Sequence, residues 1–123
     1  MGNDDRWSVG RRGEAVAADY LRERGWVLLA RNFRAGPKEL DLVAARGGVV
    51  AFVEVKTRSS ATGGTPLEPI RALKRRAVEA AARRWIYEHG KPGATYRFDA
   101  IAVDMTGDTT RIEHIPDAWR PGA

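Results

Sequence analysis

Two acidic residues and one lysine lie in the most apolar part of the chain. Asp41 and Glu54 each stand within a run of aliphatic residues, and Lys56 follows Glu54 at a spacing of two. Carboxylates at apolar positions of neighbouring strands repel each other and need a counter-charge. A divalent cation supplies one, and a nearby lysine can stabilise the charge on a phosphate. These residue types predict a metal-dependent site that cleaves phosphodiester bonds.

The elements that must position these residues form a predicted β-hairpin. A Gly-Gly pair at positions 47 and 48 separates two β-branched, apolar segments, as in a two-residue hairpin turn. Counting outward from this turn places Asp41 opposite Glu54 and Glu39 opposite Lys56. A four-residue loop would keep this register, whereas a loop of three or five residues would shift it by one and separate the pair.

The hydrophobic pattern predicts a mixed α/β domain with the element order α-β-β-β-α-β-β. Ser8 is the predicted N-cap of the first helix, and the Ser/Gly-rich stretch 59–66 is predicted to be a loop. The second helix would connect the hairpin to a parallel strand, which implies a mixed sheet with helices packed on it. The predicted helices cover about 8–24 and 68–89, and the predicted strands cover about 26–34, 39–46, 49–58, 96–104 and 111–115.

Composition limits the class of protein. The 123 residues suit a single domain, 1–123, whose ends 1–6 and 120–123 are expected to be flexible. With 21 Lys plus Arg against 16 Asp plus Glu, the net charge of +5 favours an anionic partner such as nucleic acid or an acidic membrane surface. A basic protein with no polyanionic partner stays an alternative.

Several kinds of site and location are excluded or disfavoured. The chain has no cysteine, which excludes disulfides and cysteine-based zinc or iron–sulfur sites, and His89 and His114 are isolated in sequence. The N-terminus lacks the order of a signal peptide, and no apolar run approaches the roughly 18 residues of a membrane span. We therefore expect a cytoplasmic protein. We also expect no binding to membrane surfaces, because neither predicted helix combines a broad apolar face with a cationic face.

The same residues resemble a known nuclease signature. Asp41, followed after twelve residues by Glu54-Val55-Lys56, is similar to the PD-(D/E)xK motif. More closely, the chain resembles the bacterial YraN-like family of predicted endonucleases, relatives of archaeal Holliday-junction resolvases, from about Gly10 to Trp119. The matching segments are Gly13-Glu14-Ala15, Tyr20-Leu21, Gly25-Trp26, Arg31-Asn32-Phe33-Arg34, Glu39-Leu40-Asp41-Leu42-Val43, Phe52-Val53-Glu54-Val55-Lys56-Thr57-Arg58, Lys74-Arg75-Arg76 and Arg97-Phe98-Asp99.

The resemblance implies a restriction-endonuclease-like, resolvase-type fold and an endonuclease that uses Mg²⁺ or Mn²⁺ on DNA, including branched or otherwise structured DNA. It also implies a homodimer, because a resolvase cuts two strands symmetrically. Asp41 and Glu54 would be direct metal ligands, with the Val55 backbone carbonyl as a third. Glu14 resembles the helix acid that related resolvases add to the metal site, although by spacing alone it is an ordinary residue of a first helical turn.

The remaining site residues have roles that follow from their charge. Lys56 would orient or help deprotonate the attacking water, or stabilise the phosphate. Glu39 would pair with Lys56 or hold a water on the metal. The alternative is that Asp41, Glu54, Lys56 and Glu39 form a buried ion-pair cluster without chemistry.

Candidate contacts to the DNA backbone are basic residues near this hairpin. Arg58 and the loop 59–65 follow the site directly, and Lys74 matches the family and would face the site. Lys38 departs from the glycine that the family usually has before Glu39, and it would add a cation beside the site or change the loop. The full set is Arg58, Lys74, Arg71, Arg75 and Lys38. The cations of the second helix could equally be solvated surface charges.

Some features favour structural interpretations. Arg97 and Asp99 are at least as consistent with a salt bridge as with a functional element, and the tryptophans favour core packing over base stacking. The main functional alternative is a nucleic-acid-binding adaptor that keeps the nuclease fold without catalysis. Such an adaptor would not need a metal at Asp41 and Glu54, so metal binding separates the two functions.

Overall fold

A computed structural model of the protein describes residues 2–59 and 72–122. The chain forms a five-stranded sheet with one helix against each face. The elements are α1 (Gly2–Glu23), β1 (Val27–Ala35), β2 (Lys38–Arg46), β3 (Val49–Arg58), α2 (Ala72–His89), β4 (Thr95–Asp104) and β5 (Arg111–Trp119). The predicted mixed α/β class and the order α-β-β-β-α-β-β are confirmed.

The sheet has the strand order β1-β2-β3-β4-β5. Every neighbouring pair is antiparallel except β3 and β4, which are parallel. Parallel neighbours need a crossover, and α2 lies between β3 and β4 in the chain. The predicted crossover role of the second helix is therefore confirmed.

The central hairpin has the register that a two-residue turn requires. Arg46 pairs with Val49, and pairing continues without a shift to Leu42 and Val53. Gly47 and Gly48 have φ angles of 55° and 80°, both in the left-handed region that glycine enters at little cost. Two left-handed residues produce a turn whose twist matches that of the strands.

The element boundaries differ clearly from prediction at two places. The first helix begins at Gly2, so Ser8 lies inside α1 and is not its N-cap, and residues 2–6 are helical although a flexible end was expected. The last strand extends to Trp119, beyond the predicted end at 115. The predicted loop beyond Ser59 and the start of the second helix fall in 60–71, outside the described residues. No helix in the described ranges is long and apolar enough to cross a membrane.

Each face of the sheet carries its own apolar layer. Phe52 on the α2 face packs edge-on against Trp85 of that helix, with ring centroids 5.8 Å apart. Leu21 of α1 lies in the second layer against the opposite face, together with Trp26. Trp119 is also buried, so three of the four tryptophans have the predicted core role, while the side chain of Trp7 is outside the described set. Burying such a side chain stabilises the fold by roughly 1.5–3 kcal/mol.

Close contact between α1 and β3 depends on Gly13. A Cβ at this position would lie 2.8 Å from both Cβ and Cγ2 of Thr57, closer than such atoms can approach. The missing side chain lets α1 lie directly on β3, one residue before Glu14. Gly13 therefore determines how close the neighbouring residue Glu14 lies to the sheet.

We expect Gly13→Ala to destabilise the protein, although alanine favours a helix. The helical gain of about 0.5–1 kcal/mol is smaller than the roughly 1–3 kcal/mol cost of overpacking against Thr57. Gly10→Ala is the matched control, because nothing lies within 4 Å of a Cβ there, and it should raise stability by about 0.5–1 kcal/mol. Urea unfolding compares the two, and equal stabilisation by both would show that α1 does not rest on β3 at Gly13.

A fully buried carboxylate links β4 to β5. Asp99 accepts hydrogen bonds from Arg97 Nε at 2.9 Å and Nη2 at 3.1 Å, and from the Asp117 backbone N–H at 3.0 Å. His114 Nε2 lies 2.8 Å from Asp99 Oδ2, the oxygen that also accepts the bond from Arg97 Nη2. Burial by itself would raise the pKa of Asp99, but these contacts outweigh burial and lower it. The predicted salt bridge between Arg97 and Asp99 is confirmed.

Ionised Asp99 should stabilise the fold at neutral pH and cease to do so in acid. Its stabilisation is complete above the unfolded-state pKa of about 3.9 and is lost as the pH falls through the lower folded-state pKa. Asp99→Asn should therefore cost on the order of 3 kcal/mol at pH 7 and much less near pH 2. Urea unfolding at both pH values measures the difference, with the exposed Asp108→Asn as control. A cost that is the same at both pH values would contradict the lowered pKa.

Candidate metal centre

Asp41 and Glu54 lie opposite each other on β2 and β3, one position beyond the paired residues Leu42 and Val53. Asp41 reaches across to the neighbouring strand, where its Oδ2 accepts a hydrogen bond of 2.8 Å from the Val55 backbone N–H. The two acids are also within hydrogen-bonding reach of each other. The register predicted from the hairpin turn therefore brings the two predicted ligands together.

Glu14 and Glu39 complete an acidic cluster around Asp41. One carboxylate oxygen from each of these three residues lies within 4.8 Å of the other two, the one such group of potential metal ligands among the described residues. The sequence predicts Glu14 as a ligand together with Asp41 and Glu54, and α1 does bring Glu14 to Asp41. Glu39 joins the same cluster. Glu54 is not part of this group of three, although its charge acts on Asp41.

The lysines are distributed differently from the prediction. Lys74 Nζ lies 3.1 Å from Glu54 Oε1, so α2 supplies the direct counter-charge for that acid. The charge of Lys56 also acts on Glu54. Glu39 forms its ion pair with Arg34 at 3.2 Å, whereas the predicted hairpin register had suggested Lys56 as its partner. Lys74 thus faces the site, as its match to the family implied.

The pKa shifts indicate that burial makes the carboxylates of this cluster resist ionisation. Burial, together with the charge of Glu54, raises the pKa of Asp41 to about 7. Burial also raises the pKa of Glu54 despite Lys74, and burial followed by the charge of Asp41 raises that of Glu14. Carboxylates that resist ionisation in this way favour a further cation.

One oxygen of Glu54 has no partner in the described structure. Glu54 is only 4% exposed, and while its Oε1 pairs with Lys74, its buried Oε2 accepts no hydrogen bond. A buried carboxylate oxygen without a partner is costly unless a ligand satisfies it. Several carboxylates around one point are the oxygen ligands that Mg²⁺ and Mn²⁺ prefer. The residues present therefore fit a divalent cation.

Asn32 is a member of this site that the sequence-based prediction missed. The pairs Arg31 with Leu42 and Phe33 with Leu40 place Asn32 of β1 opposite Asp41 of β2. Its side chain is near enough to Glu14 to lower the pKa of that carboxyl. The signal was present in the sequence, because counting outward from a two-residue turn at positions 36 and 37 gives the same pairing.

The other predicted basic residues lie around the site or beyond it. Arg58 ends β3 near Asp104 of the neighbouring β4. Arg75 is half-buried on α2, and its Nε has no hydrogen-bond partner. Lys38 is exposed at the start of β2, where it lines a depression of about 370 Å³ together with Arg34 and Arg84. Arg71 lies outside the described residues, and the Val55 carbonyl stays a predicted ligand.

Comparison with known proteins places the chain in a family. The sequence pattern of the uncharacterised protein family UPF0102 matches residues 13–103, a range that contains every member of the site described above. The chain belongs to this family. The family membership expected from the YraN-like motifs is thereby confirmed.

Individual UPF0102 proteins are similar over almost their whole length. The protein from Anaeromyxobacter dehalogenans is 45% identical over 123 residues, which cover 97% of this chain and 92% of the relative. The protein from Syntrophotalea carbinolica is 43% identical over 114 residues, covering 93% of each chain. The protein from Geobacter metallireducens is 39% identical over 112 residues, covering 91% of this chain and 92% of its own.

We expect Asp41→Asn to stabilise the cation-free protein at pH 8 and to have little effect at pH 4. Folded Asp41, with a pKa of about 7, keeps a proton that the unfolded chain releases near pH 4, so the wild type loses stability between these values. The amide mimics the protonated acid and removes this loss, which is on the order of 1 kcal/mol or more.

Urea unfolding in the presence of EDTA measures this effect. Asp19→Asn is the control, because Asp19 is exposed on α1 and its removal should change stability little at either pH. The raised pKa of Asp41 is refuted if the difference in the free energy of unfolding between Asp41→Asn and wild type does not increase from pH 4 to pH 8.

Proposed function

We propose that this protein is a metal-dependent endonuclease that hydrolyses phosphodiester bonds in DNA, including branched or structured DNA. The observation that carries the proposal is the pair Asp41 and Glu54 on neighbouring strands, with a buried Glu54 oxygen that lacks a partner. The resemblance of this pair and Lys56 to the PD-(D/E)xK signature supports the same reaction. The basic composition supports a polyanionic substrate.

The acidic cluster would hold Mg²⁺ or Mn²⁺. Asp41, Glu54 and Glu14 are the ligands we propose, and Glu39 is close enough to Asp41 to bind the cation or a water on it. When bound, the cation polarises the phosphoryl group and promotes formation of the nucleophile from water. The protein's contribution is to fix these ligands, and the hydrogen bond from the Val55 N–H to Asp41 holds one of them in place.

The two lysines would act on the anionic substrate. Lys56 follows Glu54 by two residues on β3, so both side chains project from one face of the sheet. From there its ammonium can orient the attacking water or stabilise the charge that develops on the phosphate. Lys74 reaches Glu54 from α2 and adds a second positive charge at the same point.

The DNA backbone would approach over the basic residues that surround this cluster. Lys38, Arg34 and Arg84 line one depression together with Glu88, and Arg34 forms an ion pair with Glu39 of the cluster. Arg58 lies at the end of the strand that carries Glu54. Arginine and lysine contacts to phosphates position a duplex without reading its sequence. A substrate recognised by shape, such as a branched duplex, suits contacts of this kind.

One observation favours a second candidate, a nucleic-acid-binding adaptor without catalysis. Lys74 already gives Glu54 a counter-charge at 3.1 Å, so part of the cluster is stable without a metal. Lys74 does not satisfy Glu54 Oε2, however, and it does not reduce the raised pKa of Asp41 to its ordinary value. We therefore rank the adaptor second.

Cleavage of plasmid, single-stranded and four-way-junction DNA in Mg²⁺ or Mn²⁺ tests the nuclease. We expect cleavage that EDTA abolishes and that Glu54→Gln reduces by about 100-fold or more, because even outer-shell partners of metal ligands contribute about 10–100-fold. Glu113→Gln is the matched control, since this exposed glutamate lies on β5 outside the acidic cluster.

The outcomes separate the candidates. DNA binding without cleavage by wild type and both variants, with no dependence on metal, would establish the adaptor. Equal cleavage by wild type and Glu54→Gln would indicate a contaminating nuclease and refute the site. The preferred substrate among the three DNAs would identify the substrate class.

A further inference from the structure

Asn32 has a backbone conformation that asparagine adopts rarely inside a strand. Its φ angle is 51°, in the left-handed region, although it lies in the middle of β1. Asparagine tolerates this region better than most residues, but the conformation still costs free energy and persists only where the surrounding structure requires it. The residue is therefore held in place for a reason beyond strand formation.

The amide of Asn32 is directed toward the acidic cluster. Its side chain lowers the pKa of Glu14, which places the amide near that carboxylate. The same amide carries the oxygen Oδ1, at the strand position opposite Asp41. That oxygen is buried and has no hydrogen-bond partner among the described residues.

The two unpartnered oxygens belong to residues on the strands that flank β2. The register of the adjoining pairs places Asn32 on β1, Asp41 on β2 and Glu54 on β3 in one row across the sheet. The outer two each hold a buried oxygen without a partner, Oδ1 and Oε2 respectively. A neutral amide oxygen is an accepted ligand of Mg²⁺, Mn²⁺ and Ca²⁺. It also adds a ligand without adding a further negative charge beside carboxylates that already resist ionisation.

We propose that Asn32 is an additional residue of the cation site, whose Oδ1 binds the divalent cation directly or through a water. The assignment rests on the proposed metal-dependent function. It extends the ligand set across β1, beyond the strands that carry the nuclease-like motif. The left-handed backbone of Asn32 is then the feature that turns the amide toward the metal.

Mn²⁺ binding to the full-length protein, measured by isothermal titration calorimetry, tests this proposal with two variants. Asn32→Gly keeps the left-handed backbone at no steric cost and removes the amide, and it should weaken Mn²⁺ binding by about 10–100-fold. Asn32→Asp keeps an oxygen in place and should bind Mn²⁺ at least as tightly as wild type.

The matched control is Asp117→Gly. Asp117 has the same φ of 51° but lies on β5 beside Asp99, so its removal should leave Mn²⁺ affinity unchanged. Circular dichroism spectra with EDTA confirm that all variants are folded. Electron paramagnetic resonance of bound Mn²⁺ provides a second readout, because a change of ligand at residue 32 alters the signal of the bound ion.

Two results would overturn the assignment while leaving the metal-dependent function intact. One is wild-type affinity in Asn32→Gly, and the other is equal weakening in Asn32→Asp and Asn32→Gly. A wild-type protein that binds no Mn²⁺ would instead refute the metal site, and the role of Asn32 with it. Because binding is measured without DNA, the result does not depend on whether the protein cleaves.

Discussion

The repulsion between Asp41 and Glu54, two acids opposite each other on adjacent strands, is the interaction on which the rest of the site depends. Neither acid is easily ionised in this position, and burial raises the pKa of both. The Val55 N–H stabilises Asp41 and Lys74 stabilises Glu54, but a buried oxygen of Glu54 stays without a partner. Burying these two carboxylates in the sheet costs folding free energy, and apolar residues at the same positions would make the fold more stable. Costs of this kind are typical of functional sites.

The two helices have different parts in holding this pair. The α2 crossover allows β4 to lie parallel to β3, which buries β3 between two strands and two helices and so makes Glu54 a buried residue. The same helix brings Lys74 to that acid. On the other face, the contact between Gly13 and Thr57 lowers α1 onto β3 and brings Glu14 to Asp41. The site therefore lies where both helices reach one end of the sheet.

A comparison of Asp99 with Glu54 distinguishes a structural acid from a functional one in the same sheet. Both are buried, yet Asp99 has contacts to both oxygens from Arg97, His114 and the Asp117 backbone, and its pKa is lowered. Glu54 has one ion pair and one unsatisfied oxygen, and its pKa is raised. A buried carboxylate whose two oxygens both have partners stabilises the fold. A buried carboxylate with an unpartnered oxygen can still bind a ligand such as a cation.

The sequence by itself determined the hairpin and its register, because a two-residue turn leaves one register. The alternation of side chains along β2 is interrupted beside Asp41, since Leu40 and Leu42 lie in opposite apolar layers. The same reasoning would have placed Asn32 opposite Asp41 from the turn at positions 36 and 37. Only the tertiary structure decided which residues from distant elements join them. Lys74 and Glu14 lie on helices whose periodicity identifies a buried face but not the end of the sheet that each helix covers. Their positions depend on how closely α1 and α2 pack on the sheet, and that packing arises from contacts between residues far apart in the chain.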